Sequence, residues 1–196
     1  MDIFKELKKA AIEPSLKKFF FKKYGKVWTY ELNSGIVYIV EVGINAVVKN
    51  DFLLSIRYGI YFQGVMELLY GFPFEIKHGV GNCIFHGSVD KKKIKQLWNS
   101  NDFLLFESFK DDVSDSLENG ILPFLNKFNT GEQLIGLFNE DFSSYIKNDS
   151  ILALKIGCLK FLVGQKEQGI TVVEQVIANS KVKFDFAEAV LMRMKN

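Results

Sequence analysis

The stretch Val27-Trp28-Thr29-Tyr30-Glu31-Leu32-Asn33-Ser34-Gly35-Ile36-Val37-Tyr38-Ile39-Val40-Glu41-Val42 decides the fold class. Trp28, Tyr30 and Leu32 alternate onto one side of a strand, because successive side chains on an extended backbone point to opposite faces. Asn33-Ser34-Gly35 then supplies the positive-φ positions that a tight hairpin needs. The alternation resumes with Ile36, Tyr38, Val40, Val42 and Ile44. After a second turn at Lys49-Asn50-Asp51 it continues with Phe52, Leu54, Ile56, Tyr58, Ile60 and Phe62. This is an antiparallel three-stranded meander. With the second turn centred on Lys49, Glu41 falls opposite Arg57 on the polar face, where a cross-strand ion pair is expected.

Upstream, Ile3, Phe4, Leu7, Ala11, Leu16, Phe19 and Phe20 recur at helical spacing among Lys5, Lys8, Lys9, Lys17 and Lys18. The pattern predicts an amphipathic helix over 2–20 that covers the meander. Pro14 lacks an N–H and crowds the preceding turn, so a kink or restart is expected near Glu13. Downstream, residues 64–101 are less regular. Gly71-Phe72-Pro73-Phe74 and His78-Gly79-Val80-Gly81-Asn82 read as turns, Cys83 to His86 as a short strand, and Lys91 to Trp98 as a short helix.

From Asp111 the pattern is helical. Val113, Leu117, Ile121, Leu122, Leu125 and Phe128 form one stripe, and Thr130 caps a second helix bearing Leu134, Leu137 and Phe138, with Glu132 and Gln133 placed for a capping box. Asp149-Ser150 caps a third helix ending at Gly164; a fourth runs from about Gly169 to Asn179 and a fifth from Phe184 to Met194. The third and fourth resemble a single tetratricopeptide-like hairpin, too little for a solenoid. The expected fold is therefore α+β: an N-terminal helix on an antiparallel meander in residues 1–110, then a helical extension in 111–196.

The N-terminal two-thirds also resembles a bacterial family known as domain of unknown function number 4304. That family shows a Lys-rich helix with an internal Pro, a Gly-Phe-x-Lys-x-Gly motif, an aromatic strand, a meander with an extended apolar strand, and a downstream Trp. Here the matching residues are Ile12-Glu13-Pro14-Ser15-Leu16-Lys17-Lys18, Phe20-Phe21-Lys22-Lys23-Tyr24-Gly25, Trp28, Leu53-Leu54-Ser55-Ile56-Arg57-Tyr58-Gly59-Ile60 and Trp98. Phe20 stands where the motif has Gly, and no Gln-Lys-Ser-like element follows the second strand. The resemblance implies a small α+β fold and carries no site residues.

Composition narrows the class further. Hydrophobic residues make up 48% of the 196, ample for a core, and the two cysteines are too few for a secreted disulfide framework. Met1-Asp2-Ile3-Phe4-Lys5 lacks a signal-peptide pattern, and the longest apolar run, Ile36 to Val48, is broken by Glu41 and Asn45 and too short for a bilayer. A cytoplasmic protein with no membrane contact is expected. Residues 1–100 carry 15 basic against 9 acidic side chains (+6) and residues 101–196 carry 10 against 14 (−4). That asymmetry fits charge-complementary packing of the halves better than a nucleic-acid surface.

The chemically suggestive residues cluster in 75–90. His78, Cys83 and His86, with Glu75 or Asp90 nearby, contain both histidines and one cysteine. Their spacing matches no familiar zinc module, and on a strand Cys83 and His86 point apart. A Cys83/His86 nucleophile pair would also need an oxyanion site. Gly79-Val80-Gly81-Asn82 lacks the Gly-Lys-Ser/Thr ending of a phosphate loop. The segment Lys17 to Lys26 interleaves five lysines with Phe19, Phe20, Phe21 and Tyr24, as nucleic-acid grooves do; solvated lysines around core phenylalanines are the expected reading, and Lys91-Lys92-Lys93-Ile94-Lys95 is read as solvated too. Asp111, Asp112, Asp115 and Glu118, with Glu107, form an acidic cluster in which 111, 115 and 118 share a helix face. Acids early in a helix suit its dipole, and they also offer an interaction surface.

The expected function is a non-enzymatic protein-interaction module, of the adaptor or toxin-neutralising kind, with another protein as partner and no cofactor or metal. The competing expectation is a small hydrolase or nucleic-acid-acting enzyme built on His78, Cys83 and His86.

Overall fold

A computed structural model describes residues 3–48, 51–72, 76–87, 97–98, 106–138, 149–180 and 183–196. It divides into two compact units: residues 1–31, 37–61 and 77–127 form the first, and 32–36, 62–76 and 128–196 the second. The units are interleaved along the chain, whereas the sequence division at 110/111 is a single cut.

The first unit holds the sheet. Strands β1 (Lys22–Tyr24), β2 (Val27–Glu31), β3 (Ile36–Val48), β4 (Asp51–Phe62) and β5 (Phe85–His86) lie side by side in that order, and β6 (Leu97–Trp98) also pairs with β4. The meander is as the alternation predicts, with β1 added beside β2 and both β5 and β6 added against β4. β2 pairs antiparallel with β3, setting Trp28 against Val40 and Tyr30 against Tyr38. Leu97 and Trp98 pair with Ser55 and Leu54, which corrects the helix expected to end there; the rest of 91–96 lies outside the described residues.

One expectation about the sheet fails. Tyr38 and Val40 are buried as predicted, but so are Val37, Ile39 and Glu41 on the opposite face. On the first face Tyr58 packs its ring edge-on to Phe124, 5.6 Å between centroids. On the second, the 3₁₀ segment Ile76–Asn82 and the following Cys83 lie over Glu41 and Gly59. A strand covered on both sides reads as a continuous apolar run, and Ile36–Val40 is one.

The helical part of this unit has an unusual feature repeated twice. The opening helix runs through α1 (Ile3–Leu7), a π turn (Lys8–Ile12) and α2 (Glu13–Lys18); a second runs through α4 (Phe106–Asp115), a π turn (Ser116–Ile121) and α5 (Leu122–Leu125), with α3 (Gln63–Tyr70) lying between them in the chain. Each π turn ends two residues before a proline, Pro14 or Pro123. The N–H of Glu13 reaches back to Lys8 O and that of Leu122 to Leu117 O, and the residues flanking each π turn keep helical backbone angles. The wider turn makes room for the pyrrolidine ring, and the α-helix restarts at Glu13, where the sequence places a kink or restart. The two composite helices pack on each other, with Leu7, Ile12 and Leu16 on one and Val113, Leu117 and Ile121 on the other fully buried.

The second unit contains the tip of the β2–β3 hairpin and a helical group. At the tip Gly35 has φ 77, Leu32 O accepts from Gly35 N–H, and Leu32 N–H donates to Ile36 O at 2.8 Å. This is the three-residue hairpin loop that requires a left-handed third position. Helices α6 (Gly131–Ile135), α7 (Ser150–Leu162), α8 (Lys166–Asn179) and α9 (Asp185–Lys195) follow the predicted caps: Thr130 and Gln133 form a reciprocal capping box, and Asp149 accepts from Leu152 N–H. The fourth helix starts earlier than predicted, at Lys166. α3, which the sequence left irregular, packs on α7 and α9. Arg193 of α9 donates to Leu68 O and Leu69 O at the end of α3, where a cation is favoured by the helix dipole.

α7 and α8 form the predicted helical hairpin and meet at Gly157 and Gly169. A Cβ on Gly169 would stand 2.6 Å from Gly157 O, so only hydrogen fits at this crossing.

Candidate interaction site

The loop that carries the sequence candidates is held down by a buried carboxylate. Glu41 is 3% exposed. Its Oε1 lies 2.8 Å from Arg57 Nη2 and 3.0 Å from Lys26 Nζ, and its Oε2 accepts from Val80 N–H at 3.3 Å. Gly79, at φ 72, presses against the same carboxylate. Burial works to raise the Glu41 pKa, but Lys26, the Val80 amide and Arg57 together outweigh it and hold the carboxyl below its usual range. The ion pair with Arg57 is the one the strand register predicts; its burial and its grip on the loop are not legible in the register.

Of the candidates, Cys83 and His86 have described side chains. Cys83 is fully buried against Gly59, while His86 is exposed on β5 opposite Gly59. The His78 backbone belongs to the 3₁₀ segment and its side chain lies outside the described residues, as do Glu75 and Asp90. Among the described residues, no three His, Cys, Asp or Glu side chains converge as metal ligands would. The other cysteine, Cys158 in α7, is pushed up to about 12 by burial.

The acidic residues lie on α4 and the π turn that follows it. Asp111 and Asp115 are exposed on α4, Asp115 accepts from Asn119, and Glu107 pairs with Lys110. Glu118 lies in the π turn Ser116–Ile121. It accepts from Ser15 Oγ at 2.9 Å and from Lys18 Nζ at 2.5 Å, and these bonds hold its pKa low. At this point the acidic half of the sequence does meet the basic half.

The aromatic–lysine segment holds the larger departure. Phe21 is buried, as expected of a core phenylalanine, but Phe20 is 77% exposed and Tyr24 53%. Phe20 also has φ 64, the one positive φ outside glycine among the described residues. That conformation costs a side-chain-bearing residue about 1–2 kcal/mol. Phe20, Lys22, Tyr24, Thr29, Tyr30 and Glu31 line a pocket of about 230 Å³ at the β1 edge of the sheet. Sequence reasoning missed this site because helical periodicity carries Phe20 into the core stripe; α2 ends at Lys18, and Phe20 and Phe21 then part to opposite fates.

Against known proteins, the chain matches no family model, no curated protein and no solved structure. No helix of the described residues is long and apolar enough to cross a membrane.

Proposed function

We propose that this protein is a non-enzymatic protein-interaction module that binds its partner through the β1 edge. The observation that carries this reading is Phe20: a large apolar side chain 77% exposed, on a backbone conformation that disfavours it. Strain of this kind persists where the surrounding structure imposes it, and it concentrates at functional positions. Tyr24 and the pocket between the two rings give the edge the mixed aromatic and polar character of a binding surface. An adaptor or neutralising partner working in the reducing cytoplasm fits two buried cysteines outside any disulfide. The hydrolase reading gains nothing from a fully buried Cys83.

The test compares proteins captured by the wild-type chain, by Phe20→Ser and by Met192→Ser, the last removing an exposed apolar side chain from α9. A partner recovered by the wild type and by Met192→Ser, and lost with Phe20→Ser, is the expected result. Capture indifferent to Phe20 would sink the reading.

A further inference from the structure

The backbone of the β1 edge narrows the class of partner. Leu32 N–H donates to Ile36 O, and Val42 N–H donates to Lys26 O, so the even-numbered backbone groups at both ends of β2 bond toward β3. Alternation in an antiparallel ladder sends those of Val27 and Thr29 the other way, to Tyr24 and Lys22, which they face. Lys23 stands opposite Trp28 and therefore turns its own N–H and C=O to the outer edge. β2 also runs past β1, because the left-handed Phe20 ends the pairing before Glu31 is covered. The edge thus offers hydrogen-bonding backbone, flanked by the exposed rings of Phe20 and Tyr24.

Charge decides what kind of strand fits there. Antiparallel pairing of two copies centred on Lys23 would set each Lys22 against the other copy's Tyr24 and leave the Lys22 charge without a carboxylate opposite it. Of the lysines around this edge, Lys17 and Lys23 face Glu13, Lys18 faces Glu118, and Lys26 faces Glu41. Among the described residues, Lys22 has no such carboxylate. Lys22 and Tyr24 project to one face, with the pocket; Lys23 projects to the other, where its ammonium lies 5.4 Å from the Trp28 ring centroid.

We infer that β1 accepts an extended antiparallel strand from a different protein, carrying the pattern apolar–any–acidic. The apolar side chain packs against Tyr24, the acidic one pairs with Lys22, and the strand bonds to Lys23 through its backbone before running on toward Phe20. This mode of recognition draws affinity from main-chain bonds and specificity from alternate side chains. The inference rests on the reading of this edge as the binding face.

The experiment titrates the intact protein with the capped peptide Thr-Val-Thr-Glu-Thr-Val-Thr, with its Lys-for-Glu analogue, and with oligothymidylate, followed by amide NMR. The Glu peptide is expected to shift Lys22, Lys23, Tyr24 and Glu31 and to slow exchange of the Lys23 N–H. The Lys analogue should bind about fivefold more weakly, and Lys22→Glu should reverse that order. N-methylation of the peptide unit facing Lys23 should abolish binding with the charge unchanged. Equal binding of both peptides, shifts centred elsewhere, no peptide binding, or binding of oligothymidylate alone each overturns strand addition. If Phe20-dependent capture persists while the peptides fail, the strand inference falls and the interaction reading stands; if capture ignores Phe20, that reading falls first.

Discussion

Two residues carry most of what is testable one side chain at a time. Glu41 is a buried carboxylate held below its usual pKa by two cations and an amide. A folded-state pKa lower than the unfolded one stabilises the fold above the unfolded pKa, and the stabilisation is lost as pH falls through the folded value. Glu41→Gln keeps the shape and the Val80 contact but loses the charge, so it should cost about 1–3 kcal/mol at neutral pH. Its stability should also decline less steeply than that of the wild type as pH drops below about 4.5, as read from urea midpoints across pH. Phe20 makes the opposite prediction. Phe20→Gly deletes a large ring yet relieves a left-handed backbone, and with 77% of the side chain already in water the relief wins. A gain of about 1 kcal/mol is expected, seen as a melting temperature about 2–4 °C higher, together with loss of partner capture. A residue whose removal stabilises the fold and ends binding is retained for binding.

At the scale of elements, the strands and most helix ends were legible because their signals are local: alternation, a left-handed Gly35, a capping box at Thr130. The two π turns were not. Periodicity at 3.6 residues assumes one phase along a helix, and each π turn adds a residue that shifts it. The apolar pairs Ala11-Ile12 and Ile121-Leu122, each just before a proline, mark where the phase slips. Glu118, inside the second π turn, meets Ser15 and Lys18. α3 was missed because the neighbouring Gly71-Phe72-Pro73-Phe74 reads as a turn, whereas Arg193, far along the chain, holds its end. The α7–α8 crossing supplies the test at this scale. Gly169→Ala puts a methyl group into Gly157 O, and backbone cannot swing aside as a side chain can. It should cost about 1–3 kcal/mol in a thermal melt, while Gly25→Ala, with open space around it but φ 65, loses only its backbone preference.

For the whole molecule, the sequence conveyed the α+β class but not how the chain is shared out, since a pattern read from left to right favours contiguous domains. Strands β3 and β4 each pass from one unit to the other, Ile36 and Phe62 belonging to the second and the intervening described residues to the first. Units that share continuous strands should unfold together: calorimetry is expected to show one transition with equal calorimetric and van't Hoff enthalpies. Two resolved transitions would mean that the strands come apart where the units divide. The interleaving also sets an order of events on the ribosome. The hairpin tip at 32–36 emerges early, yet the Asn129 carbonyl that Ser34 bonds to and the other helices of its unit are made last. Even the first unit is incomplete until residue 127 has been added, so the nascent chain carries a sheet whose Tyr58 still lacks Phe124 for some time after its last strand is made.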